Sequence, residues 1–233
     1  GLDAADVIDA PAFLVAFSTE LNSPHGDQFT AGDLLITNGT IIPNEALTAR
    51  WQVGYDLGLD AVQFVGAAEQ IRAFVDAARQ ISREKWFANP GLLSELLKEH
   101  QVDIWFSTEG TERTASTAQI LDGDLLAALQ GQHVYHQVDL FPNAVPAGIE
   151  QRGVDFGLDA ATASRGTDRK VVRFSTEILY HNDLAFTDGD VLRAMTAAVE
   201  ITNEDLVNPF EPKARFLGLD ALYMAIDPSN GPG

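Results

Sequence analysis

Acidic side chains recur at matching places along this chain, and clustered carboxylates are the oxygen ligands that a hard cation such as calcium prefers. They belong to three short motifs, namely Phe-Ser-Thr-Glu, Gly-Asp followed by Leu or Val, and Gly-Leu-Asp-Ala, which recur in the same order. The candidate calcium ligands that these motifs and their flanking acids predict are Glu20, Asp33, Glu109, Asp122, Asp124, Glu177, Asp188 and Asp190.

The spacing of two acid pairs favours a tight cation-binding loop. Asp122 and Asp124, like Asp188 and Asp190, flank a single glycine. In the first copy Ala31 replaces the leading acid, so we expect a weaker site there. The alternative role of every motif aspartate is structural, because Asp accepts hydrogen bonds from backbone amides a few residues along and thereby stabilises a turn.

Composition and motifs argue against several other kinds of site. The chain has no cysteine, which excludes disulfides, thiolate catalysis and Cys-ligated zinc, iron–sulfur or c-type haem groups. No P-loop or Gly-x-Gly-x-x-Gly is present, so we expect no nucleotide cofactor. His133 and His136 are three residues apart in a strand-like segment, which predicts that they point to opposite faces and share no metal.

A carbohydrate-binding or carbohydrate-hydrolysing protein is the alternative to a structural or binding module. A glycosidase needs only a pair of carboxylates, which has no local sequence signature, whereas no Ser-His-acid set stands out. The aromatic side chains available to stack on sugar rings are Trp51, Trp86, Trp105, Tyr135 and Tyr180.

The motifs mark three divergent copies of one β-rich unit. Phe-Ser-Thr-Glu occurs at residues 17–20, 106–109 and 174–177. Gly-Leu-Asp-Ala occurs at residues 1–4, 58–61, 157–160 and 218–221. Apolar residues alternate before each Phe-Ser-Thr-Glu, which is typical of a strand with one buried face. We expect Phe17, Phe106 and Phe174 on the buried face, and Ala16, Trp105 and Arg173 on the less buried one.

Three such units, each with about four short strands, predict a mostly β fold with a closed, propeller-, prism- or trefoil-like arrangement. The predicted repeats cover residues 1–57, 58–156 and 157–217. Residues 218–233 are expected to form an extra terminal strand and a flexible tail. Pairing of that strand with a neighbouring molecule would give self-association, and pairing within the chain is the alternative.

The middle unit carries a predicted helical insertion at residues 62–101. Ile71, Phe74, Val75 and Ala78 recur at helical spacing. Asn89, followed by proline, is expected to begin a second helix. The sequence therefore predicts two helices joined near residues 86–87.

The overall charge limits the classes of partner. The formal net charge is −19 and the sequence pI is near 4.4, so nucleic acids and anionic membranes should be repelled. No run of about 18 apolar residues occurs, so no membrane-spanning helix is expected. The absence of cysteine fits an exported protein that needs no disulfides.

The combination of Phe-Ser-Thr-Glu, Asp-Gly-Asp-Leu-Leu and Leu-Gly-Leu-Asp-Ala resembles repeats of uncharacterised exported bacterial proteins. The resemblance covers all three units but not the helical insertion. It implies an extracellular or cell-surface location and no particular activity. The resulting hypothesis is a secreted or cell-surface structural or binding module that calcium stabilises.

Overall fold

A computed structural model describes residues 1–24, 28–112, 120–149, 153–163, 172–210 and 217–224. These residues form three separate four-stranded antiparallel sheets. Each sheet lies within one predicted unit, and in each the strands pair in chain order. The predicted mostly β character with about four short strands per unit is therefore confirmed, and it is consistent with three repeat-like units.

The strands are short except for the first two, which pair over most of their length. Unit 1 (residues 1–57) contains β1 (Leu2–Asp9), β2 (Leu14–Thr19), β3 (Leu34–Ile36) and β4 (Thr40–Ile42). Unit 2 (residues 58–156) contains β5 (Val62–Val65), β6 (Asp103–Phe106), β7 (Leu125–Ala127) and β8 (Gln132–Tyr135). Unit 3 (residues 157–217) contains β9 (Ala160–Thr162), β10 (Arg173–Ser175), β11 (Val191–Arg193) and β12 (Ala198–Ile201).

The phenylalanine of each Phe-Ser-Thr-Glu motif occupies the same pairing position in its sheet. The matching cross-strand pairs are Phe17 with Leu35, Phe106 with Leu126, and Phe174 with Leu192. Phe106 and Phe174 are fully buried, as expected, whereas Phe17 is only half-buried. The burial prediction was therefore right for units 2 and 3 and wrong for unit 1.

The middle sheet is buried on both faces, because its two neighbours cover it. One hydrophobic cluster joins Phe64 and Phe106 to apolar residues of unit 1 such as Leu34. A second cluster joins Trp105 to Phe174 of unit 3. Trp105 is consequently 4% exposed, and the expectation of a less buried face there was wrong. The alternation of apolar and polar residues along one strand cannot show that a second sheet covers the strand's other face, which carries Trp105.

Consecutive units contact each other through their first strands. β1 lies against β5, and β5 lies against β9. Buried side-chain hydrogen bonds connect the three first strands. Gln63 of β5 donates from Nε2 to Asp6 Oδ2 of β1 (3.2 Å), and its Oε1 accepts from Thr162 Oγ1 of β9 (3.0 Å). Among the described residues no closed propeller or trefoil is shown, so closure of the array stays a prediction.

The helical insertion contains three helices instead of the two that the sequence predicts. These are α2 (Ala68–Ala78), α3 (Arg83–Ala88) and α4 (Leu92–His100). The insertion is also shorter than predicted, because residues 62–65 form β5. Asn89 does not begin α4. Its Nδ2 donates to the Lys85 carbonyl (3.0 Å) at the end of α3, and α4 begins after Gly91.

A short helix follows the fourth strand of every unit. These helices are α1 (Asn44–Leu47), α5 (Gln137–Leu140) and α6 (Asn203–Val207), and a 3₁₀ turn at Ala49–Trp51 follows the first. Each begins with an amide side chain that is buried at the junction with the next unit. In the described parts of the chain every helix is too short or too polar to cross a bilayer.

The terminal copy of Gly-Leu-Asp-Ala lies against unit 3 of the same chain. Ser175 Oγ donates to the Leu219 carbonyl (2.8 Å), and the Met224 amide donates to Thr162 Oγ1 (2.9 Å). Residues 217–224 form no strand, in contrast to the prediction, and residues 225–233 lie outside the described residues. Self-association through this segment stays a prediction.

Candidate cation site between the units

The aspartate of each Gly-Asp motif stabilises a turn with both carboxylate oxygens. Asp33 Oδ2 accepts from the Thr30 amide (2.9 Å), and its Oδ1 accepts from the Asn44 amide (3.1 Å). The same pair of bonds forms in unit 2 and in unit 3. We call these residues the turn aspartates: Asp33, Asp124 and Asp190.

The turn aspartates of units 1 and 2 also face basic side chains. Asp33 forms an ion pair with Arg83 of α3, and Asp124 lies 3.2 Å from His133 Nε2. Burial alone would raise the pKa of Asp124. Hydrogen bonds from His133, His136 and two backbone amides outweigh it and lower the pKa to about 2. The turn aspartates thus face backbone amides and, in units 1 and 2, basic side chains, and none of them belongs to a carboxylate group at a unit boundary among the described residues.

The buried amide residues that begin α1, α5 and α6 tie each unit to the start of the next. Asn44 Oδ1 accepts from the Leu57 amide (2.9 Å), and its Nδ2 donates to the Gly58 carbonyl (2.8 Å). Gln137 and Asn203 make the corresponding bonds to the amides of Phe156 and Leu217. The sequence did not reveal these residues. The residue at this position is Asn in units 1 and 3 but Gln in unit 2, and the backbone amides that it binds lie 13 to 19 residues along the chain.

The serine of each Phe-Ser-Thr-Glu motif donates a hydrogen bond across a unit boundary. Ser18 Oγ donates to the Leu59 carbonyl (2.7 Å), and Ser107 Oγ donates to the Leu158 carbonyl (3.0 Å). Both acceptors belong to the next copy of Gly-Leu-Asp-Ala. These bonds bring carboxylates of successive units together at each boundary.

The boundary between units 1 and 2 carries the first group of clustered acids. Oxygen atoms of Asp3, Asp60 and Glu109 lie within 4.8 Å of one another. Glu109 packs directly on Gly58, where a Cβ would come within 2.7 Å of the glutamate side chain. Only glycine fits there, also because its φ is +79°. A cavity of about 380 Å³ beside Glu109 is lined in part by Ala31, the residue that replaces an acid.

The boundary between units 2 and 3 carries the second group. Oxygen atoms of Asp60, Asp122 and Glu177 lie within 4.8 Å of one another, and Glu177 packs on Gly157 as Glu109 does on Gly58. Asp60 thus belongs to both groups. We call the members of the two groups the interface acids: Asp3, Asp60, Glu109, Asp122 and Glu177.

The electrostatics of the interface acids differ sharply from those of the turn aspartates. Burial is the main cause that raises the pKa of Asp60 to about 10, and repulsion from Asp122 and Glu109 adds to it. Burial, followed by repulsion from Glu177 and Asp155, raises the pKa of Asp122 to about 8. Burial and then the charge of Asp3 raise the pKa of Glu109 to about 7. Ionising these groups together is therefore costly unless a cation joins them.

Three oxygen atoms of the interface acids are buried without a hydrogen-bond donor. They are Oδ2 of Asp3, Oδ2 of Asp60 and Oδ1 of Asp122, and none has a partner among the described residues. Asp60 is 4% exposed. Buried polar atoms are normally satisfied, so an unpaired carboxylate oxygen facing other carboxylates indicates a position for a cation.

A third boundary continues the pattern towards the terminal segment. Burial, followed by repulsion from Asp220 and Glu177, raises the pKa of Asp159 to about 7, and Asp188 contributes to the same rise. Oδ1 of Asp188 is also buried without a partner in the described ranges. Buried carboxylates are therefore close enough to repel one another at this boundary as well.

The predicted ligands fall into four groups in the structure. Glu109, Asp122 and Glu177 lie among the interface acids, and Asp188 lies at the third boundary. Asp33, Asp124 and Asp190 are turn aspartates. Glu20 is about half exposed, and its Oε2 lies 3.4 Å from the amino terminus. Asp3, Asp60 and Asp159 were not among the predicted ligands, although their recurrence in Gly-Leu-Asp-Ala is the signal that finds them.

Two further predictions concern aromatic and histidine side chains. Trp51, Trp86 and Trp105 are buried, so they offer no sugar-stacking surface. His133 and His136 do not point apart as predicted. Their rings stack with centroids 4.0 Å apart, because β8 ends before His136 and the chain turns there into α5.

Comparisons with protein-family models, with curated proteins and with solved structures found no match.

Proposed function

We propose that this chain is a structural or binding module of a secreted or cell-surface protein, and that calcium bound by the interface acids stabilises the packing of its units. The observation that carries the proposal is Asp60. This buried aspartate belongs to both acid groups, and its Oδ2 has no partner among the described residues. A cation at each boundary would join carboxylates of two units.

Calcium suits these groups better than other common metals. The donors are carboxylate oxygens, which a hard cation prefers, and calcium accepts six to eight oxygens in flexible geometry. Extracellular modules typically bind calcium with dissociation constants of about 10⁻⁴ to 10⁻³ M, a range that suits an exported protein. The lack of cysteine, the strong negative charge and the resemblance to exported repeats support that location. A propeller-like arrangement of the units is part of the same proposal.

The expected gain in stability follows from binding to the folded state alone. A single site at a hundredfold excess of calcium over its dissociation constant adds about 2.7 kcal/mol to the free energy of unfolding. For a chain of this length each kcal/mol raises the melting temperature by about 2–4 °C. Thermal melts in millimolar calcium and in a chelator should therefore differ by about 5–10 °C.

Three variants assign that effect to the interface acids. Asp60→Asn removes the shared carboxylate and should abolish most of the calcium-dependent shift. Glu177→Gln should weaken it. Glu20→Gln is the matched control, because Glu20 occupies the same motif position but is about half exposed. Identical melting curves with and without calcium, or an equal calcium shift in all three variants, would refute the proposal.

A further inference from the structure

A second cluster of ligand-type side chains lies outside the interface acids. Asp124, His133 and His136 place donor atoms within 4.8 Å of one another. His133 Nε2 lies 3.2 Å from Asp124 Oδ2, and His136 Nδ1 lies 3.8 Å from Asp124 Oδ1. Two imidazole nitrogens and one carboxylate are a donor set typical of zinc and related transition ions, not of calcium.

The separations of the donor atoms fit such an ion. Bonds of about 2.0–2.1 Å in tetrahedral geometry place neighbouring donors about 3.4 Å apart. The separation of His133 Nε2 from Asp124 Oδ2 (3.2 Å) is close to that value, and His136 Nδ1 lies 3.8 Å from the other carboxylate oxygen, Oδ1. Asp124 also accepts from the Leu121 amide (3.0 Å) and the Gln137 amide (2.8 Å). Bonds of this kind hold a ligating carboxylate in a fixed orientation.

Imidazole rings act as metal ligands in their neutral form. The two ring centroids are 4.0 Å apart, so two imidazolium ions would repel each other at short range. One divalent ion bound to a nitrogen of each ring would place its charge beside the Asp124 carboxylate and leave both imidazoles neutral. The side chain of His136 is about half exposed, so an ion can reach the cluster from solvent.

Unit 1 provides the contrasting arrangement. The turn aspartate Asp33 faces the guanidinium of Arg83, which is a fixed cation and cannot ligate a metal. The histidine pair therefore gives unit 2 a chemical property that the equivalent turn of unit 1 lacks.

We propose that Asp124, His133 and His136 form a binding site for a zinc-class transition ion, separate from the calcium site of the interface acids. The test is a calorimetric titration of the full chain with Zn²⁺ in the presence of millimolar calcium, which keeps the interface acids occupied. We expect one Zn²⁺ per chain at this site.

Single substitutions locate the bound ion. Loss of even an outer-shell partner of a metal ligand typically weakens binding by about 10- to 100-fold, so His136→Ala should lower the Zn²⁺ affinity at least about tenfold. His133→Phe should do the same while keeping an aromatic ring beside Trp51, whose centroid is 6.3 Å away. His181→Ala is the matched control, since His181 is exposed, and it should leave the affinity unchanged.

A paramagnetic probe provides the second measurement. Cu²⁺ bound at the cluster should quench the fluorescence of the wild-type chain through Trp51, and His136→Ala should lose that quenching. Because His136 is half exposed, this variant is expected to fold even if His133→Phe does not. The proposal fails if His136→Ala binds Zn²⁺ as tightly as the wild type, or if calcium displaces the Zn²⁺.

Discussion

Asp122 and Asp124 are separated by one glycine, yet they behave as opposite kinds of acid. Asp124 accepts hydrogen bonds from two backbone amides and faces two histidines, and its pKa is lowered to about 2. Burial and neighbouring carboxylates raise the pKa of Asp122 to about 8. The comparison teaches that donors around a buried carboxylate, and not burial itself, decide whether the charge stabilises the fold.

The two classes should therefore respond differently to a loss of charge. A turn aspartate satisfies backbone amides that have no substitute acceptor in its absence. An interface acid repels the acids beside it, and a bound cation would remove that repulsion.

The largest effect is expected from Asp33→Ala. This substitution leaves the buried Asn44 amide and the partly buried Thr30 amide without their acceptor, and Arg83 without its partner. Breaking a buried ion pair by removing one partner typically costs about 3–5 kcal/mol. Denaturant unfolding should show that loss with calcium and with a chelator alike. Asp122→Asn is the control, and it should be neutral or stabilising in the chelator. A smaller loss for Asp33→Ala than for Asp122→Asn would contradict the comparison.

The cation-free protein should lose stability as the pH rises. The pKa of Asp60 is raised from 3.8 to about 10, first by burial and then by repulsion from Asp122, so the folded state holds its proton more tightly than the unfolded state. The stability contribution is thus complete below about pH 4 and falls as the pH approaches 10, by about 1.4 kcal/mol per pH unit for one proton. Between about pH 5 and pH 8 this amounts to about 4 kcal/mol.

Urea unfolding in a chelator over that pH range measures the slope. Asp60→Asn should flatten it, and added calcium should flatten it in the wild type. Asp124 makes the free energy of unfolding depend on pH in the opposite direction. Its pKa is lowered from 3.8 to about 2, so its stabilising contribution is lost only as the pH falls below about 4. A cation-free protein that becomes more stable from about pH 5 to pH 8 would show that the interface acids do not control its stability.

The smallest effect is expected from Ser107→Ala. The Ser107 hydroxyl donates across the boundary between units 2 and 3 to the Leu158 carbonyl, and both groups are buried. Removing one such neutral bond should cost about 1 kcal/mol in calcium and in the chelator alike. Calorimetric melts under both conditions check this. Loss of the calcium-dependent shift in Ser107→Ala would mean that packing at the boundary, and not the carboxylates, accounts for that shift.

The sequence predicted the mostly β character and the short strands well, because the alternation of apolar residues along a strand is a local signal. Alternating apolar residues mark each strand, and the recurrence of one motif placed Phe17, Phe106 and Phe174 at matching positions in three sheets. The helical spacing of Ile71, Phe74 and Val75 likewise predicted the buried face of α2.

Burial across sheets was harder to predict. Phe17 and Phe106 stand in identical motifs, but only Phe106 is covered by a second sheet. Trp105 is buried for the same reason, since unit 3 packs on that face. No residue near Trp105 in the sequence reports that contact.

The candidate site likewise combines features that the sequence determines with features that only contacts between units determine. The sequence by itself determined which acids exist, how they recur, and that glycine precedes or follows them. Only the tertiary structure decided that Asp33 and Asp124 accept backbone amides while Asp60 faces the acids of two boundaries. The physical reason is that a carboxylate's role depends on the donors and charges within a few ångströms, and at the boundaries those neighbours come from units about 50 to 120 residues apart.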